Sequence, residues 1–180
     1  MKKPTLAGLQ LIELKIFGDD RGYFMERYQK ERFQALGLPG EFIQDNLSRS
    51  KPGVIRGLHY QNNPAQGKLV GAIRGAIWDV VVDIRKNSPT YGKWEAFELS
   101  DTNGHLLWIP GGFAHGFCVL GNEPADVMYK VDAPYSPKTE GGILWSDAEL
   151  KIEWPVSNPI VSGKDQVLQT FQTYSLTPVF

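Results

Sequence analysis

The sequence predicts an all-β fold, an antiparallel sandwich or barrel for which a jelly roll is the best fit. Two observations carry this. Short runs rich in β-branched and aromatic residues recur at close spacing, about nine or ten of them, each bounded by turn residues. Only one stretch, KERFQALG from Lys30 to Gly37, combines helix formers with a glycine stop. Periodicity alone is equally compatible with other all-β sandwiches.

In chain order, LQLIELKIF (9–17) runs into the turn Gly18-Asp19-Asp20, and GYFMERY follows. After the helix, FIQDNLSRS meets the turn Lys51-Pro52-Gly53, and GVIRGLHYQ returns. KLVGAIR breaks at Arg74-Gly75 and AIWDVVVDIR follows. KWEAFELS breaks at Asp101-Thr102-Asn103-Gly104, which reads as a hairpin turn before HLLWIP. AHGFCVLG and ADVMYKVDA complete the series. No repeat, low-complexity tract or linker divides the 180 residues, so 1–180 is expected to form a single domain.

Alternation sorts the faces of these strands. Asp79, Val81 and Asp83 share one face, with Trp78, Val80 and Val82 on the other. Lys68 and Val70 share a face, as do Val127, Tyr129 and Val131. Charges at Lys68 and Asp79 inside apolar strands either point to solvent or are buried for a purpose, because an unpaired buried charge is expensive.

The balance of 19 Lys+Arg against 20 Asp+Glu gives no reason to expect a nucleic-acid partner. The N-terminus has two lysines but no long apolar stretch, since Glu13 and Lys15 interrupt it. No signal peptide or transmembrane helix is expected. The one cysteine, Cys118, excludes an internal disulfide framework and suits a reducing compartment, so the cytoplasm is the expected location. Cys118 lies in the apolar run GFCVLG and reads as a buried, inert thiol.

There are three histidines, His59, His105 and His115. His59 stands in GVIRGLHYQ near Arg56, which pairs a proton carrier with a fork for an anion. A packed histidine without chemistry is the alternative on this run alone. On a regular strand Arg56 and His59 fall on opposite faces. A bulge at Gly57 would bring them to one side.

PGGFAHGF (110–117) resembles the second signature of the cupin jelly rolls, P-x-G-x-x-H, through Pro110, Gly112 and His115. The first signature of metal-binding cupins supplies H-x-H and a later Glu. Here that place holds His59-Tyr60-Gln61, and no Glu follows before position 77. Two histidines and an amide make a poor site for a first-row metal. No metal is expected, although a metal-dependent cupin oxygenase is the competing class that a bound metal would favour.

DDRG (19–22), Glu26, QDN (44–46), RGLHYQ, QGKLV (66–70), DVVVDIR, PGGFAHGF, YK (129–130) and EGGILW (140–145) occur in this order. The set resembles the dTDP-4-dehydrorhamnose 3,5-epimerase family, from about residue 6 to about residue 168. The resemblance implies a cupin-type jelly-roll barrel of antiparallel strands and an epimerase of dTDP-L-rhamnose biosynthesis. It implies His59 as general base, Asp165 in GKDQ as its orienting acid and Tyr129 as general acid. Lys68 then sits near the sugar carbonyl, with Asp79 as an acidic neighbour. Arg21, Glu26, Gln44, Asp45, Asn46, Arg56, His115, Glu140 and Lys164 match positions that hold the nucleotide sugar, and Tyr135 matches one that stacks on thymine. The family is a homodimer in which an N-terminal segment reaches the other subunit's site, which implies a shared place for Arg21 and Glu26. Without the resemblance, Tyr129 is a core tyrosine, Asp165 a solvated loop acid, and Arg21 with Glu26 a surface pair.

The implied substrate is dTDP-4-dehydro-6-deoxy-D-glucose. Its C4 ketone acidifies the protons on C3 and C5, and removing either leaves an enolate that a cation such as Lys68 stabilises. Inversion needs a base and an acid on opposite sides. No redox cofactor or metal is required. Relatives that invert only C3 or only C5 share the His, Lys and Tyr positions, so a mono-epimerase is the second reading. A silent sugar-binding jelly roll is a third, needing neither His59 nor Tyr129.

Overall fold

A computed structural model describes residues 3–180. The first part of the chain forms β1 (Gln10–Glu13), β2 (Ile16–Asp19), β3 (Gly22–Met25), α1 (Lys30–Ala35) and β4 (Gln44–Ser50). The middle forms β5 (Val54–Gln61), β6 (Lys68–Arg74), β7 (Ala76–Asp83), β8 (Trp94–Ser100), β9 (His105–Ile109), β10 (Phe113–Leu120) and β11 (Ala125–Val131). The last part adds β12 (Glu140–Gly142), β13 (Ile160–Val161), α2 (Gly163–Gln166) and α3 (Phe171–Leu176). No helix among the described residues is long and apolar enough to cross a membrane.

Two antiparallel sheets face each other, giving the jelly-roll sandwich of the cupin type. One runs β1-β9-β6-β11-β4; the other runs β12-β5-β10-β7-β8, with β13 parallel to the start of β5. Val70, Leu107, Ile109 and Val127 of the first meet Ile77, Val81, Phe97, Phe117 and Val119 of the second. Asp79 shares the inward face of β7 with Val81 and is fully buried. The opposite face, with Val80 and Val82, packs under Leu150, Phe171 and Tyr174 from the C-terminal part of the chain. Burial on both faces explains why DVVVD reads as a nearly continuous apolar run.

Helix α1 starts where expected. Gln29 caps it by accepting the Arg32 N–H at 2.6 Å, and Gly37 ends it at φ 82°. It lays Phe33 on the outer face of the first sheet, beside Leu69, Leu106 and Trp108. Helices α2 and α3, of 4 and 6 residues, are too short to leave a periodic signal. Their caps Ser162 and Thr170 are the trace they leave in sequence.

The Asp101–Gly104 turn is not a hairpin. β8 pairs with β7, whereas β9 pairs with β1 and β6, so the turn crosses from one sheet to the other. The turn chemistry is as read: Asn103 Oδ1 accepts the N–H groups of Ser100 and His105, at 3.0 and 2.9 Å. Local residues set the reversal, but burying apolar faces of both sheets decides which neighbour the next strand finds.

The bulge at Gly57 is present. His115 pairs with His59 and Phe117 with Arg56, two steps along β10 against three along β5. Gly57 has φ 123°, and a Cβ there would lie 2.6 Å from Gly116 Cα and 2.9 Å from His115 O. The extra residue turns Arg56 and His59 to the same side. Gly57→Ala is expected to cost about 2–4 kcal/mol by thermal unfolding, from clash and φ strain together. Gly121→Ala, at φ 72° but with open space around it, is expected to cost only about 1 kcal/mol.

Candidate active site

The two sheets enclose a cavity of about 530 Å³. A second, of about 380 Å³, adjoins it through shared walls at His59, Lys68 and Tyr129. Such volumes suit a ligand larger than a single sugar ring. His59 comes from β5 in one sheet, and Lys68 and Tyr129 from β6 and β11 in the other.

His59 is oriented from outside the sheets. β13 runs beside Val54 and Ile55, and α2 follows with Ser162 capping it, which sets Asp165 against the bulge. Asp165 Oδ1 lies 2.7 Å from His59 Nε2, and Oδ2 accepts the Gly57 N–H at 3.3 Å. Burial pushes the Asp165 carboxyl up, but the hydrogen bonds of His59, Gly57 and Ser162 and the His59 charge outweigh it and hold the group below its usual range. An ionised carboxylate only accepts, so His59 Nε2–H donates and Nδ1 is left as the basic nitrogen.

The groups opposite are tuned differently. Burial pushes the Tyr129 phenol up, Arg56 offsets part of this, and Glu140 adds to it, so Tyr129 keeps its proton at neutral pH. Burial pushes the Lys68 ammonium down to about 8, against the pull of Glu140 and Asp132. A retained phenol proton and a desolvated cation beside an oriented histidine are groups able to support proton transfer next to a carbonyl.

His115 is the register partner of His59 and has its own carboxylate, Asp79 Oδ2, at 2.7 Å from Nε2. Burial pushes Asp79 up, opposed by His115. At the other end, Glu140 accepts from Lys164 at 2.7 Å and from the Tyr135 hydroxyl at 3.0 Å. Burial raises the Glu140 carboxyl, but Lys164, Tyr135 and His59 bring it below its usual range. Gln44 donates to Asn46 Oδ1 at 2.9 Å on the wall of the second cavity. Gln61 donates to the Pro64 and Pro134 carbonyls and accepts the Ser136 N–H, fastening the loop that carries Tyr135. Its amide is thereby committed away from any metal.

The model of the dTDP-4-dehydrorhamnose 3,5-epimerase family matches residues 3–173. The chain belongs to that family. It is 54% identical over 165 residues to the dTDP-4-dehydrorhamnose 3,5-epimerase of Shigella flexneri, covering 91% of each chain. It is 50% identical over 175 residues to that of Pseudomonas aeruginosa, covering 95% of this chain and 96% of the relative. Among solved structures it resembles a dTDP-6-deoxy-D-glucose-3,5-epimerase from Legionella pneumophila in complex with dTDP-4-keto-L-rhamnose. That match has a TM-score of 0.89 and 45% identity, over 93% of this chain and 90% of the other.

Set against the family's pattern, most expected positions gather in one place. His59, Asp165, Lys68, Tyr129, Arg56, His115 and Lys164 line the first cavity. Gln44, Asn46, Tyr135 and Glu140 line the second. Four expected residues lie elsewhere. Asp79 stands behind His115 with no exposed surface, so it reaches the cavity only through that ring. Asp45 falls on the far face of β4 by strand alternation and pairs with Lys130 at 2.8 Å. Arg21 pairs with Asp19 at 2.5 Å and Glu26 with Arg32 at 2.7 Å, and neither lines these two cavities. Both belong to the segment around the β2–β3 hairpin, which exposes Phe17, Tyr23 and Phe24.

This epimerase-family chain also brings in residues that the motif reading passed over. Ser48 and Phe117 line the first cavity, and the buried Ser50 bonds Arg56. The signal was available: in QDNLSRS every second residue from Gln44 is polar and shares one face. Cys118 is fully buried and burial pushes its thiol up to about 11, so it is inert as expected.

Proposed function

We propose that this chain inverts C3 and C5 of dTDP-4-dehydro-6-deoxy-D-glucose to give dTDP-4-dehydro-L-rhamnose. The observation that carries this reading is the placement of His59 and Tyr129 on facing sheets, lining one cavity together with Lys68. His59 Nδ1 takes the proton from C3 or C5. The electron pair moves onto the C4 oxygen, where the Lys68 ammonium offsets the charge. Tyr129 returns a proton from the other face, so the carbon is inverted with no net change in atoms. Exchange with water then restores the Tyr129 proton and frees Nδ1. Asp165 holds the tautomer and supports the imidazolium.

The nucleotide occupies the rest of the space in this reading. Arg56, His115 and Lys164 face the diphosphate, and Gln44, Asn46 and Glu140 line the remaining wall, with Tyr135 as the platform for thymine. The chain acts as a homodimer, with the partner's hairpin bringing its Arg21 and Glu26 to this site. Exposed aromatics on the hairpin support that, because an unpartnered apolar arm is costly in water. The lone unpaired thiol supports a cytoplasmic place of action.

Incubation with the 4-keto sugar in heavy water, followed by NMR, tests the reaction. Deuterium is expected at both C3 and C5; label at one carbon identifies a mono-epimerase, and label at neither defeats the class. His59→Ala is expected to lower exchange about 10²–10⁴-fold while dTDP still binds.

Because only the charged lysine stabilises the enolate, kcat/KM is expected to decline as pH rises through about 8. A profile that stays flat through that range would remove Lys68 from the role.

Arg21→Ala and His59→Ala homodimers are each expected to be weak, and mixed dimers to regain one intact site and measurable turnover. Mixtures no better than their parents would place Arg21 outside the partner's site.

A further inference from the structure

Arg56 differs from the four ion-paired arginines; Arg27 also meets only a carbonyl, that of Ala72 at 3.4 Å, but lies away from this cavity. Arg21, Arg32, Arg49 and Arg85 each reach a carboxylate, at 2.5 to 2.7 Å. Arg56 reaches none. Its Nε–H donates to Ser50 Oγ at 2.9 Å and its Nη2 to the Arg49 carbonyl at 3.3 Å. Both partners are neutral oxygens. They fix the plane of the guanidinium without cancelling its charge, and three of its five N–H groups remain for a ligand. Ser50 itself is buried, at 2% exposure, on the β4 face that also carries Gln44 and Asn46. Arg56 is exposed at the cavity wall, where a free arginine would lose much rotamer entropy on binding an anion.

We infer that Ser50 is a positioning residue that pre-orients Arg56 as an uncompensated cation for the diphosphate of the nucleotide sugar. This rests on the nucleotide-sugar reading above. A carboxylate at position 50 would hold the guanidinium as firmly but would neutralise it; an alanine would leave it charged but mobile. A buried hydroxyl does neither, and the entropy cost is met before the ligand arrives.

The test is calorimetric titration with dTDP and with inorganic diphosphate, alongside steady-state kinetics. Ser50→Ala is expected to weaken dTDP binding about 3- to 10-fold and to raise KM by a similar factor, with kcat within about twofold. Ser50→Thr keeps the hydroxyl and is expected to restore binding. In an Arg56→Ala background, Ser50→Ala is expected to add nothing, a coupling that a purely structural serine would not produce. Unchanged dTDP affinity in folded Ser50→Ala, or the same loss with and without Arg56, overturns the inference. Wild-type protein that binds neither dTDP nor diphosphate defeats the nucleotide-sugar reading itself, and this inference with it.

Discussion

The Asp165 carboxylate is the contact on which the rest of the site depends. One oxygen holds His59 and the other takes the N–H of Gly57, the residue whose bulge aligns Arg56 with His59. A strand distortion, the His59 ring and a distant segment of chain therefore meet at one charged group. Its charge is stable there because several donors converge on it, outweighing burial, which pushes the carboxyl up. Removing that carboxylate would leave a buried amide hydrogen unpaired and His59 free to take the wrong tautomer.

The same cavity pushes neighbouring groups in opposite directions. Dehydration lowers the Lys68 ammonium and raises the Tyr129 phenol, while Asp165 is kept ionised. Two of these shifts favour the states that the proposed proton transfer needs, a retained phenol proton and an ionised carboxylate behind His59, whereas the Lys68 shift narrows the pH range over which the lysine is charged. The two histidines side by side show how environment separates like residues. The carboxylate behind His59 takes further donors, whereas the one behind His115 is sealed off with one oxygen unpartnered.

Packing at the far side of the sandwich makes this arrangement possible. Phe171 and Tyr174 cover the outer face of the six-stranded sheet with Val80, Val82 and Leu150. Asp147 accepts the Phe171 N–H at 2.8 Å, and Tyr174 donates to the Ile84 carbonyl at 2.9 Å. The C-terminal chain is thus anchored beyond α2, and β13 anchors it before α2. A four-residue helix could not place a carboxylate accurately on its own.

Much of the architecture was legible in the residues themselves. Strand alternation, turn chemistry and the single helix stop predict an all-β sandwich, because side-chain direction along a strand is a local property with a period of two. The same rule puts Tyr129 on one face with Val127 and Val131, and applied to QDN it sets Asp45 apart from Asn46, which the motif resemblance does not. Gly57 could be read as a bulge, since few other residues tolerate its φ. The family resemblance names Asp165 as the partner of His59, but composition and periodicity leave it a loop acid; tertiary structure decided which strands pair across Asp101–Gly104, how Asp165 is brought to His59, and that Ser50 holds Arg56. The His59–Asp165 contact joins residues 106 positions apart in the chain, and no local pattern encodes it. Such contacts exist because two apolar faces must close on each other, and closure brings these polar groups together.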